Sequence, residues 1–241
     1  MRDYNEEYKD NTRKYAYNFD YILRDYMMQS FLPFLVSGRA LEMGCYTGEF
    51  TKLIVEHFSD VTVIEASDEL IEHSKQRIGT GVNFIHSTFE TVDLREKYDS
   101  IFLMHTLEHL DDPILVLNKI NNWLAECGRV FLVVPNANAP SRQIAVKMGL
   151  VPYNSAVIES ERSHGHRKTY SLDTLEHEAL AGGLKVIHRG GIFFKPLAGS
   201  QFDDALEAKI ISQEYLDGCY KLGMIYPDLC ASVFLVCEKG S

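Results

Sequence analysis

An apolar run that ends in a carboxylate and then breaks on two closely spaced glycines, Ala40-Leu41-Glu42-Met43-Gly44-Cys45-Tyr46-Thr47-Gly48-Glu49-Phe50, leaves this chain few folds to choose from. It reads as a parallel strand that turns sharply into an amphipathic helix, the layout of a nucleotide-type ligand site at the carboxyl end of a first strand. Gly44 and Gly48 carry no Cβ, so the backbone there can turn through positive φ and approach a ligand closely. About twenty residues further on, a second strand, Val61-Thr62-Val63-Ile64, ends in Glu65, a carboxylate suited to accept hydrogen bonds from ribose hydroxyls. A dinucleotide fingerprint needs G-x-G-x-x-G; here Tyr46 stands between Gly44 and Gly48, which disfavours NAD.

Downstream, helical and strand patterns alternate. Residues 49–58 read as helix, 61–65 as strand, 68–78 as helix, 82–86 and 100–104 as strands, 113–124 as helix and 130–135 as strand. This alternation predicts an α/β fold with a doubly wound parallel sheet. The carboxyl part adds a helix over 171–181, strand material over 184–189 and 191–195, and a last buried strand over 231–238. Two stretches interrupt the order, 137–170 and 197–227, and are read as substrate-cap insertions, because loops on a rigid sheet vary without disturbing its core. There is no internal repeat or low-complexity linker, and 241 residues with 46% hydrophobic content suit one domain over 1–241, with a cofactor core over 38–136. The first 35 residues are rich in Tyr and Phe with helical spacing from Phe19 to Leu35; core packing is the first expectation for such a stripe, substrate recognition the second.

From about Gly38 to Asn138 the chain resembles the class I S-adenosylmethionine-dependent methyltransferases. Glu42, Gly44 and Gly48 match the first motif of that family, E/D-x-G-x-G-x-G, and Tyr46 replaces the middle glycine. Glu65 matches the ribose-binding acid. Ser87-Thr88-Phe89 stands where the adenine is contacted, without the usual Asp, and the segment Tyr98 to Pro113, YDSIFLMHTLEHLDDP, is similar to the one that passes under the methionine portion of the cofactor. The resemblance, to the small-molecule and quinone-biosynthesis type, implies a Rossmann-like, seven-stranded, mostly parallel sheet with an antiparallel last strand. It also implies an N-terminal helical lid over 1–37, S-adenosylmethionine as cofactor and S-adenosylhomocysteine as product. The implied cofactor residues are Glu42, Gly44, Cys45, Tyr46, Gly48, Glu65, Ala66, Ser87, Thr88, Phe89, Met104 and His105. The resemblance also implies an N-terminal segment that folds over the bound cofactor, with Tyr8, Tyr15 and Tyr17 as candidates for that lid and Tyr15 and Tyr17 as candidate substrate contacts.

Methyl transfer needs an acceptor held in line and, for a hydroxyl or ammonium, a proton acceptor. Histidine suits that task near neutrality. His105, past the fourth strand, and His164 rank first, with His166 and Tyr170 beside them in the SHGHRKTY segment; His109 ranks lower, as a residue expected to pack against the sheet. Arg167 is a candidate clamp for an acceptor carboxylate or phosphate. The function expected is transfer of a methyl group to oxygen or nitrogen, with carbon as a further option, of a small molecule. A cofactor-binding regulatory protein and an RNA or protein methyltransferase are the alternatives.

The net charge of -10, from 34 acidic against 24 basic residues, opposes nucleic-acid binding. Five scattered cysteines without a C-x-x-C pair point to a reducing, cytoplasmic setting. No signal core or membrane-spanning run is present in the sequence, and no familiar zinc spacing surrounds His164 and His166, so no metal ligand is assigned. The aromatic stretch 213–230 is read equally as a homodimer contact and as packing for the last strands.

Overall fold

Burial makes Arg39–Met43 (β1) the centre of the sheet: after the exposed Arg39 every side chain is enclosed, Leu41 and Met43 on one face and Ala40 on the other. A strand buried on both faces has to be covered by helices on both sides. The computed structural model describes Asn5 and residues 17–240. β1 pairs in parallel with Asp60–Glu65 (β2) and Tyr98–Met104 (β4). β2 continues to Val82–His86 (β3), and β4 to Leu124–Pro135 (β5). Cys230–Lys239 (β7) then runs antiparallel between β5 and Leu184–Phe194 (β6). The order β3-β2-β1-β4-β5-β7-β6 is the seven-stranded arrangement expected, with its closing strands antiparallel.

The helices begin where local chemistry starts them. Asp68–Ile78 (α3) is capped by Ser67, whose Oγ accepts from the Leu70 N–H at 3.2 Å, and carries Asp68 and Glu69 in its first turn and Lys75 and Arg77 in its last. Pro113–Trp123 (α4) starts on Pro113 with Asp112 accepting from Leu115 N–H at 3.0 Å. In Leu172–Ala181 (α7) Ser171 and Thr174 cap each other reciprocally. α4 and α7 cover one face through Val116, Leu117, Ile120, Leu172, Leu175 and Ala179. Asn18–Phe31 (α1), Glu49–Val55 (α2), Gly199–Glu207 (α8) and Gln213–Ile225 (α9) cover the other. There Phe102 stacks on Phe131 at 4.9 Å and Phe19 on Phe202 at 4.3 Å, with Phe31 set against Phe131 at 5.0 Å.

The first insertion holds Pro140–Lys147 (α5) and Glu159–Ser163 (α6), and the second holds α8 and α9. α9 packs on β6, so much of the second interruption covers the sheet. The strand expected in two pieces over 184–195 is one, running through Gly190 and Gly191. A Cβ at Gly190 would lie 2.2 Å from the Phe234 ring and one at Gly191 2.4 Å from Pro227 O; these glycines permit close packing and do not break the strand. The helix expected over 49–58 ends at Val55. Among the described residues no helix is long and apolar enough to cross a membrane.

Candidate active site

Strand order reverses between β1 and β4, and in open α/β sheets ligands bind beyond the carboxyl ends of the strands at that point. A pocket opens there. Its floor is Glu42, Gly44, Cys45 and Tyr46 from the end of β1 and its turn, its far side is Met104 and His105 from the end of β4, and Phe50 closes it from α2. Asp20, Leu23, Arg24 and Met27 of α1 form the remaining wall. Because α1 also buries Phe19, Tyr26, Met28 and Phe31 in the core, the N-terminal helix is both core and pocket wall. Sequence reasoning missed Asp20 and Arg24; the available signal was a pair of opposite charges one turn apart on an aromatic helix.

The glycine turn is conformationally specific. Gly44 and Gly48 both sit at φ +82°, and Tyr46, in place of the family's middle glycine, also takes a left-handed φ of +50°. A Cβ at Gly44 would press to 3.0 Å from Thr106 Oγ1, so β1 and the exit of β4 meet closely only because this residue is glycine. Phe89 packs on the same spot, 3.5 Å from that Cβ position.

Glu42 is 1% exposed. Neither of its oxygens nor Thr51 Oγ1 completes a hydrogen bond among the described residues. Burial, then the negative charge of Glu65, pushes its carboxyl up to about 8 against the opposing pull of Thr51 and Arg24. Glu65, for which the resemblance implies a ribose role, makes four backbone hydrogen bonds. Its Oε2 accepts from Cys45 N–H (3.1 Å) and Tyr46 N–H (3.4 Å), and its Oε1 from Ala66 N–H (2.8 Å) and Ser67 N–H (3.1 Å). In this structure Glu65 braces the glycine turn. Burial raises its proton affinity while these four donors pull it back.

The remaining expected residues divide. Ser87 and Thr88 lie outside the pocket; Ser87 Oγ donates to Thr88 O, its N–H donates to Glu65 O, and Thr88 Oγ1 lies 2.7 Å from Thr91 Oγ1. Ala66 is tied by His86 at its carbonyl. Tyr17 is exposed and lies against Gly199; Tyr8 and Tyr15 lie outside the described residues. His105 reaches the pocket but is not a ready base. Its backbone is left-handed at φ +49°, its Nε2 is 2.9 Å from Ser232 Oγ, and burial, reinforced by His166, Arg24 and Lys195, pulls it down to about 3. A ring that stays neutral so far into acid holds a proton weakly, which counts against general-base work there.

Tyr170 is also reassigned. It is completely buried, and its hydroxyl donates to Glu178 at 2.6 Å, where Lys168 also pairs; the phenol is held protonated and serves the core. His164 ends α6, its N–H donating to Glu161 O. Arg167, the candidate clamp, pairs through its Nε with Asp111 at 2.9 Å and donates to His109 O at 3.2 Å. These contacts dock the insertion onto the β4 exit. They bring His166 to His109, ring centroids 4.6 Å apart and edge-on, beside the buried Glu108, so His109 meets an imidazole where packing on the sheet was expected.

The residues fit an S-adenosyl ligand. The turn gives a backbone cradle, and the methionine portion is a zwitterion for which Arg24 offers a guanidinium and Asp20 and Glu42 offer carboxyl groups. A family profile described as a methyltransferase domain matches residues 13–189 of the 241. Ubiquinone biosynthesis O-methyltransferases of Colwellia psychrerythraea and Sinorhizobium fredii are 25% and 24% identical, over 71% and 79% of this chain and 71% and 78% of those proteins. A malonyl-[acyl-carrier protein] O-methyltransferase of Ilyobacter polytropus is 31% identical over 94 residues, 37% of this chain and 35% of that protein. Among solved structures, a methyltransferase from Thermotoga maritima superposes with a TM-score of 0.67 at 16% identity, covering 98% of this chain and 99% of that one. The N-methyltransferase NodS of Bradyrhizobium japonicum, in complex with S-adenosylhomocysteine, gives 0.59 at 14% identity, covering 95% and 91%. The chain belongs to the methyltransferase-domain family. It is an S-adenosylmethionine-dependent methyltransferase.

Proposed function

We propose that this enzyme methylates oxygen or nitrogen of a small-molecule acceptor in the cytoplasm, and that the acceptor enters between α1 and the first insertion. The observation that carries the reading is the pocket itself, where a glycine turn, the Arg24 guanidinium and the Asp20 and Glu42 carboxyl groups converge at the end of β1. When bound, the cofactor supplies a methyl group on a cationic sulfur, which an acceptor lone pair displaces in line. Arg24 holds the carboxylate end and Asp20 and Glu42 the ammonium end. Met104 and His105 border the reacting end, the neutral His105 ring adding no charge to repel a sulfonium. α1 excludes water along one side. Proximity and exclusion of solvent are the main contributions such a site makes.

The net charge of -10 favours a small acceptor over RNA, and the O-methyltransferase relatives favour a hydroxyl. Incubation with trideuteromethyl-labelled cofactor and a panel of phenols, hydroxy acids and amines, followed by mass spectrometry, tests the reading. One labelled methyl per acceptor with equimolar S-adenosylhomocysteine is expected. Tight S-adenosylhomocysteine binding with no transfer to any member of the panel would favour the regulatory alternative.

A further inference from the structure

We propose that Glu108, His109 and His166 form a binding site for a first-row divalent transition-metal ion at the acceptor end of the pocket. Each offers one donor atom, and the three atoms lie within 4.8 Å of one another. His109 Nε2 is 3.9 Å from Glu108 Oε1, and the His109 and His166 rings meet edge-on at 81° with centroids 4.6 Å apart. Ligands about 2.0–2.2 Å from a tetrahedral metal are roughly 3.3–3.5 Å apart, so side-chain rotations of about an ångström would close the set. Two imidazoles and one carboxylate are the donor set of catalytic zinc and non-haem iron sites, and three protein ligands leave a coordination position for a substrate.

The cluster is built, not accidental crowding at the surface. Glu108 is 1% exposed and is held in the short 3-10 turn Leu107–His109 that follows β4. His166 comes from more than fifty residues away and is pinned by three contacts of its neighbour: Arg167 N–H donates to Glu108 O at 2.9 Å, and Arg167 Nε reaches both His109 O and Asp111. His166 N–H is itself fixed to Glu161 O at 2.9 Å. The cluster adjoins the pocket, because the turn that carries Glu108 and His109 follows directly on the pocket-lining His105.

Its role rests on the methyl-transfer reading. An acceptor hydroxyl bound to the ion loses its proton to solvent near neutrality, so its oxygen would arrive at the methyl group already deprotonated. That supplies what His105 does not.

The test uses the full chain, stripped with a chelator and titrated with cobalt(II), followed by visible d–d absorbance and by displacement with zinc(II). One cobalt per chain is expected, displaced by one zinc. His166→Ala, in a connecting loop, should weaken cobalt affinity at least tenfold; Glu108→Gln should do the same, while the exposed His57→Ala should not. Absence of a cobalt spectrum in the wild type, or equal affinity in His166→Ala, overturns the metal site. S-adenosylhomocysteine binding by the stripped protein is measured in parallel. Its survival with no cobalt spectrum removes the metal site alone, and its absence from every preparation removes the methyltransferase reading on which the metal's role depends.

Discussion

Occupation of the pocket by a ligand ammonium should expel a proton from Glu42. With a carboxyl pushed up to about 8, about 0.9 of the Glu42 side chains are protonated at pH 7 in the unliganded protein. Displacement from the ordinary 4.5 to about 8 corresponds to roughly 5 kcal/mol at about 1.4 kcal/mol per pH unit, most of it the cost of keeping a carboxylate out of water. A cationic amine beside it reverses that preference. Binding of S-adenosylhomocysteine at pH 7 should therefore release close to one proton, and at pH 9 only about a tenth of one. Calorimetric titration in phosphate and in Tris, whose ionisation enthalpies differ, reads the released proton directly. Glu42→Gln should abolish the buffer dependence. Stability of the free protein gives a second reading with a definite sign. The folded form binds the Glu42 proton more tightly than the unfolded chain, so the contribution is complete below about pH 4.5 and is lost as pH rises through about 8; Glu42→Gln should flatten that decline. Buffer-independent heats at pH 7 in the wild type would refute the assignment.

Other substitutions separate roles. Tyr170→Phe removes the donor to the buried Glu178 and should cost about 1–3 kcal/mol in urea unfolding, with kcat and cofactor affinity within twofold of wild type; a large loss of kcat at unchanged stability would restore Tyr170 to catalysis. Arg24→Met should weaken S-adenosylhomocysteine binding by at least about tenfold, as expected for loss of a charge-assisted pair worth about 1.5–3 kcal/mol, but leave an analogue lacking the carboxylate nearly unaffected. Equal losses for both ligands would mean that Arg24 acts on the fold. Phe102→Ala, which removes a ring stacked on Phe131 and fully buried, should cost about 3–5 kcal/mol as read by thermal or urea denaturation.

The fold was legible where one residue type dictates one local outcome. Ser67 followed by two acids marks the start of α3, Pro113 after Asp112 marks that of α4, and the glycine turn after β1 locates the pocket. What pattern alone misread was set by contacts distant in sequence. Gly190 and Gly191 look like a break, yet the strand passes through them because Phe234 and Pro227 press on it from β7 and the turn before it. His105 looks like a base until Ser232, 127 residues away, takes its ring nitrogen. Tyr170 looks catalytic in SHGHRKTY, but its register beside Asn136 turns it into the core. Glu108 and His109 carry no metal-ligand spacing with His166; only the docking of Arg167 unites them. The replacement of a motif glycine by Tyr46 is accommodated by a left-handed backbone at that residue, a conformation that costs a side-chain-bearing residue about 1–2 kcal/mol and leaves the turn intact.

The central claim is that the S-adenosyl ligand sits on the turn between β1 and α2. Calorimetric titration of the wild type and of Gly44→Arg with S-adenosylhomocysteine, with NAD as control and circular dichroism to confirm folding, tests it most directly. The account predicts micromolar, one-to-one binding by the wild type, none of NAD, and loss of binding in a folded Gly44→Arg protein, whose new side chain would start 3.0 Å from Thr106 Oγ1 and fill the cradle. Equal affinity of the two proteins for S-adenosylhomocysteine would contradict it.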